Sequence, residues 1–160
     1  MRKKGFTLIE VVLYMGLFAI FMVVMTNIYV SVLSIRLESE SISAVEQDGN
    51  VILARLIYDI NQASSVTTPG SLGTQSSSLA MVINSTNYTY ALSGGNMVLT
   101  AGANSGAINS YNTTISNFSV LRLGNVGGKH SLQLSFTVTS KITKTSGVDT
   151  KNFQTTVALR

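Results

Sequence analysis

The spacing of hydrophobic positions changes twice along the chain. From Val11 to Ile35 there are 25 residues without an Asp, Glu, Lys or Arg. About 20 apolar residues carry a helix across the hydrocarbon core of a bilayer. The run is long enough to span, and a transmembrane helix is a better reading of it than a buried core helix. Beyond Arg36 the apolar positions fall three or four apart. Ile52, Leu56, Ile60 and Ala63 share one helical face, and Ile42, Val45 and Gly49 extend it upstream. Arg36, Glu38, Glu40, Glu46 and Asp48 occupy the half nearer the span, where water is expected to return. Gly49 costs up to about 1 kcal/mol relative to Ala inside a helix, so it marks a bend or a close contact. A single helix over 6–62 would measure roughly 85 Å at about 1.5 Å per residue. A small domain can bury only its second half, which leaves the first half to lipid or to other copies.

The second change is to period two. The stretch "SSVTTPGSLGTQSSS", with Pro69, Gly70 and Gly73, reads as the loop that ends the helix. Leu79 to Ile83 then gives a strand, and "NYTYALSGGNMVLT" gives strand, turn and strand. Tyr88, Tyr90 and Leu92 alternate on one face, "GGN" supplies the positive φ of a tight hairpin, and Met97 and Leu99 resume the alternation. "ISNFSVLRL" is a further strand. In "SLQLSFTVTSK" Leu132, Leu134, Phe136 and Val138 alternate with polar neighbours, and Phe153, Val157 and Leu159 follow in the same phase near the C-terminus. The pattern predicts an α+β fold: a long N-terminal helix packed on an antiparallel sheet with one face on the helix and one in water. Residues 6–35 form the membrane helix, 36–64 its amphipathic continuation and 65–160 a β-sheet head. Gly-, Asn- and Ser-rich stretches at 101–114 and 124–130 are expected to be mobile loops.

Charge refines the N-terminal reading. Arg2, Lys3 and Lys4 precede the apolar run, and the positive-inside rule holds such a tract in the cytoplasm, with the rest of the chain outside. A cleaved secretory signal would have an apolar core of about 7–15 residues followed by a small-residue cleavage site. This run is longer, no A-x-A site follows it, and the obvious glycine stands before it. Glu10 sits just inside the apolar run. An ionisable residue at that depth asks for a partner, and the basic tract could supply one in cis.

Those residues together, "KKGFTLIEVV", resemble the N-terminus of type IV pilins and pseudopilins: a short basic leader ending in Gly, then Phe, then Thr-Leu-Ile-Glu, then an apolar helix. The resemblance implies residues 1–5 as a leader peptide, cut by prepilin peptidase between Gly5 and Phe6, and N-methylation of Phe6. It implies that Glu10 meets the N-terminal amine of a neighbouring subunit, a buried charge being tolerable mainly when paired. Its implied partners are other pilin or pseudopilin subunits and the membrane platform of the assembly machine. The implied location is the cytoplasmic membrane, then an extracellular or periplasmic filament. "LARLIYDINQAS", "YALSGGNMVL" and "TTVALR" are similar to J-type minor pseudopilins and their counterparts in type IV and competence pili. The span lacks the proline that major pilins often carry partway along, and Thr26 and Asn27 are the only polar residues in its middle. Both points favour a minor subunit.

Composition removes several other functions. The formal charge of +4 invites nucleic acid, yet three of the eleven basic residues lie in the leader. Without residues 1–5, eight Lys and Arg face seven Asp and Glu, a side-chain net of +1, so nucleic acid is not expected as a main partner. Cysteine is absent, so the head must hold by packing alone. The one histidine, His130 in "GGKHS", reads as loop-exposed, without the oriented carboxylate a catalytic triad requires. No His/Cys metal set, carboxylate cluster or phosphate loop appears, and neither a cofactor nor catalysis is expected. Tyr88, Tyr90 and Tyr111 read as core or cross-strand residues, with a binding platform as the alternative. Sequons at Asn84, Asn87, Asn112 and Asn117 read as chance in an Asn/Ser/Thr-rich head. A membrane-anchored adhesin and a signal-anchored envelope enzyme remain as alternatives to a filament subunit.

Overall fold

The computed structural model describes residues 5–144 and 146–159. Its element order is one helix, α1 (Leu8–Gln62), followed by nine strands among the described residues. They are β1 (Ser65–Thr68), β2 (Gln75–Ser76), β3 (Ser78–Ile83), β4 (Thr86–Ser93), β5 (Asn96–Ala101), β6 (Asn104–Ala107), β7 (Thr113–Gly124), β8 (His130–Ser140) and β9 (Thr150–Ala158). The architecture is α+β and pilin-like. The chain divides into two compact units, 1–39 and 40–160. In the first, every described residue is exposed. The second contains the core.

The core forms because the 3.6-residue stripe of α1 meets period-two strands. Val45, Ile52, Leu56 and Ile60 of α1 join Leu79, Met81, Ile83, Tyr90 and Met97, and a further set from β7, β8 and β9 that includes Leu132, Leu134, Phe136 and Val138. These alternating residues of β8 are each at most 1% exposed, the phase expected from sequence. Ile42 is different: it is 45% exposed, and Ser41 takes the buried position beside it. The ion pair from Lys144 Nζ at 2.8 Å holds the nearby Asp149 carboxyl below its ordinary pKa.

The single sheet expected from sequence is two sheets. One has the order β1-β3-β4-β5-β6 and the other β2-β7-β8-β9, with antiparallel pairing throughout. Hairpin signals between sequential strands look alike in both, so periodicity does not reveal where one sheet ends. The chain first visits the second sheet at β2 and enters it for good beyond Ser110, whose backbone N–H is donated to Asp48 of α1 at 2.8 Å. The expected loops also contain pairing. β1 and β2 lie inside the Pro69-containing stretch, where the Thr68–Pro69 bond is cis, and β6 lies within 101–114.

Gly49 marks a close contact. A Cβ there would come 2.0 Å from Cζ of Phe153, whose ring is stacked on Phe136 at 5.5 Å between centroids. Two buried carboxylates flank this contact along the helix. Asp48, 7% exposed, accepts from the Ser110 N–H, from the Ser110 hydroxyl at 2.7 Å and from the Thr113 hydroxyl. Asp59, 2% exposed, accepts from Arg55 Nε at 3.0 Å and from the hydroxyl of fully buried Tyr90. The sequence reading placed Asp48 among solvated charges; the donors of the β7 approach bury it instead.

Two predictions rest on these contacts. Helix propensity alone would make Gly49→Ala stabilising by about 1 kcal/mol. The Phe153 ring should reverse the sign, with overpacking costing about 1–3 kcal/mol, and Phe153→Leu in the same chain should restore the gain. Urea unfolding of the single and double variants in detergent measures both. The second concerns Tyr90, whose hydroxyl is held above its ordinary value of 10.0 by burial and then by the Asp59 carboxylate. Above about pH 10 the unfolded chain releases that proton while the folded chain keeps it. Stability should therefore fall as pH rises from there, and be fully retained below. Tyr90→Phe should flatten this alkaline fall while lowering stability at neutral pH. An unchanged slope in the variant would remove Tyr90 as its source.

Candidate functional site

The segment that opens α1 holds the three residues singled out from sequence. Gly5 is exposed, and a Cβ built on it meets nothing within 4 Å. The chain's own packing therefore does not require glycine there. Phe6 is 77% exposed and meets Tyr14 edge to face, with centroids 6.4 Å apart. Glu10 lies in the first turn. Arg2, Lys3 and Lys4, the basic tract read as its partner in cis, fall outside the described residues.

Glu10 has a partner that the sequence reading missed. Its Oε2 accepts from the backbone N–H of Thr7 at 3.2 Å and lies 3.4 Å from the Thr7 hydroxyl. In return the Glu10 N–H is donated to Thr7 Oγ1 at 3.4 Å, and the Val11 N–H to the Thr7 carbonyl at 3.2 Å. Thr7 is thus the N-cap and Glu10 the third helical residue of a reciprocal capping box, which satisfies donors that a helix start leaves orphaned. The negative charge also complements the positive end of the helix dipole. The signal was present in "TLIE", a Thr followed three residues later by Glu in front of an apolar run. Phe6, just before the cap, and Val11, on the fourth helical residue, line one groove with Tyr14, the placement of a hydrophobic staple.

The rest of α1 in this unit is a continuous apolar surface. Phe6, Leu8, Phe18, Phe21, Tyr29 and Ile35 are each more than half exposed, and the helix is long and apolar enough to cross a membrane. Of the two polar residues in its middle, Thr26 returns its hydroxyl to the Met22 carbonyl at 2.9 Å and so presents little unpaired polarity.

His130 is not loop-exposed. It is the first residue of β8, half-buried, and its Nδ1 lies 3.1 Å from Arg122 Nη2. A guanidinium can only donate, so this nitrogen accepts. A triad histidine instead donates its second nitrogen to a carboxylate. Arg122 Nη1 also reaches the carbonyls of Val66, Pro69 and Gly70 at 3.1–3.3 Å, bracing the turn after β1. Among the described residues no group of three His, Asp or Glu could hold a metal ion.

No curated protein and no solved structure matches the chain. The family model described as the prokaryotic N-terminal methylation motif matches residues 1–26, the stretch that contains Gly5, Phe6 and Glu10. That match supports a type IV pilin-like chain, processed by prepilin peptidase and anchored in a membrane by its N-terminal helix.

Proposed function

We propose that this chain is a structural, minor subunit of a type IV pilus, a competence pilus or a type II secretion pseudopilus, with no catalysis of its own. The observation that carries this reading is the exposed apolar length of α1 directly behind the methylation motif. Every described residue from Gly5 to Glu40 is exposed, and so long an apolar surface needs lipid before assembly and neighbouring helices after it. Prepilin peptidase cuts after Gly5, the new N-terminal Phe6 is methylated, and the membrane platform draws the chain into the filament. Glu10 then pairs with the amine of a neighbouring subunit. Its carboxylate already bonds the N–H next in sequence to the amine that cleavage creates. It is therefore held, before assembly, in an orientation suited to receive a cation.

The minor role is supported by a contact between two of the segments that resemble J-type subunits. Asp59 comes from "LARLIYDINQAS" and Tyr90 opens "YALSGGNMVL", and the two meet in the core, with the exposed Arg55 bonding Asp59 from outside. The arrangement of His130 with a cation supports the absence of catalysis.

Because a Cβ at Gly5 meets nothing among the described residues, Gly5→Leu should leave the fold intact and accumulate an uncut, membrane-held precursor. Mass spectrometry of the N-terminus reads this, with wild type expected to start at methylated Phe6. A normal yield of the mature form from Gly5→Leu would move the cut elsewhere.

Glu10 has two separable roles, capping and charge pairing. Glu10→Gln keeps an acceptor for the Thr7 N–H but loses the charge, whereas Glu10→Val loses both. Both variants should be inserted and cleaved. If charge pairing governs assembly, both should be depleted from sheared filaments, since breaking a buried pair costs about 3–5 kcal/mol. Full incorporation of Glu10→Gln with loss of Glu10→Val would assign the residue to capping alone.

A further inference from the structure

The outer face of β7, β8 and β9 carries no charged side chain. Charged residues do occur on these strands, but they turn to the other side. Arg122 braces the turn after β1, and Lys151 pairs with Glu46 of α1 and lies 5.3 Å from the centroid of the Phe153 ring. What faces outward is set by register. Ser116, Thr137 and Asn152 form one cross-strand row, and Ser119, Ser135 and Gln154 form the next. Leu121 and Leu123 share the face at the other end of β7. Solvent-exposed faces ordinarily mix in charges of both signs, so a stretch on which hydroxyls and amides replace charges calls for an explanation.

The centre of this face is shaped and pre-organised. The register of β7 slips between Ser116 and Ser119, and Asn117 adopts φ 52°. Such bulges re-aim side chains. Here the bulge brings Asn117 Nδ2 to the Thr137 hydroxyl at 3.3 Å, and that hydroxyl is donated to Asn152 Oδ1 at 2.7 Å. One hydroxyl therefore fixes two amides, with Asn117 Oδ1 and Asn152 Nδ2 left as an outward acceptor and donor. These residues, with Ser135 and Gln154 and with Phe136 and Phe153 between them, line an open groove of about 310 Å³, at the lower end of the size range of ligand sites.

We propose that this groove and the face around it bind an uncharged polysaccharide through its hydroxyl groups. An ionic ligand would find no counter-charge here, and an apolar segment would leave the groove's amides and hydroxyls unpaired, which binding penalises. A neutral polyol offers alternating donors and acceptors. The face answers them on a grid set by the strand spacing of about 4.8 Å and a same-side repeat of about 6.8 Å. The inference does not depend on how the chain is processed or assembled.

The test is retention of the full chain, in a polyoxyethylene detergent free of sugar headgroups, on amylose, cellulose and chitin, with pectate as an acidic comparison. Wild type should be retained on at least one neutral polymer, with no loss at high salt. Ser135→Lys and Gln154→Ala should each weaken retention roughly tenfold or more, because one introduces an unmatched charge and the other removes donors. Asn104→Lys, on the other sheet, should not. Circular dichroism checks that the variants are folded. Absence of retention on all three neutral polymers would overturn the proposal. So would salt-sensitive binding to pectate alone, or retention indifferent to both Ser135→Lys and Gln154→Ala. Loss of Ser135→Lys from sheared filaments without any glycan retention would make the face a subunit interface instead.

Discussion

A helix that buries two carboxylates on one side can dock in very few ways. Asp48 and Asp59 stand on the stripe of α1 that enters the core, about three turns apart. Each is answered by a different layer of the head: Asp48 by the segment leading into the second sheet, Asp59 by Tyr90 of the first. Sliding the helix by one turn would take Asp48 from Ser110 and Thr113 and Asp59 from Tyr90, leaving buried charge short of donors, a larger loss than an apolar mismatch. The apolar residues supply most of the driving force for docking, and the carboxylates fix its register. Gly49 and Phe153 act in the same sense, because the ring fits only where the helix has no side chain.

The same helix meets a different constraint before residue 41. The described residues up to Glu40 are exposed. Several of the helix's polar atoms bond locally there, in the reciprocal cap of Thr7 and Glu10 and where Thr26 and Ser34 bond back one turn. Polar groups closed in this way can pass between lipid and protein surroundings with little change in hydrogen bonding, as any structure in hydrocarbon must.

Much of this was legible in the sequence because it follows from period. The helix, the phase of β8 and the approach of the stripe at Val45, Ile52, Leu56 and Ile60 follow from spacings of three, four and two. What escaped depends on distant partners. Asp48 looked solvated because Ser110 and Thr113, which bury it, lie more than 60 residues away. His130 looked like a loop residue because nothing local announces Arg122 beside it. The division into two sheets was hidden for the same reason, since the strand pattern does not show that β2 pairs with β7, about 45 residues on. The capping box at Thr7 and Glu10 is the exception. It is wholly local, but the glutamate had been assigned a more distant partner.

That cap bears on the order of events at the membrane. All of its bonds lie between residues 7 and 11, downstream of the proposed scission between Gly5 and Phe6. The helix start is therefore complete while the leader is still attached, and removing the leader breaks none of it. A protease working there would meet an exposed strand of backbone ending in a finished helix. It would not need to unwind its substrate, and the helix would not need to refold after the peptide departs. Processing would then act as a change of charge alone. The amine it unmasks would appear at the tip of a helix whose carboxylate is already in position.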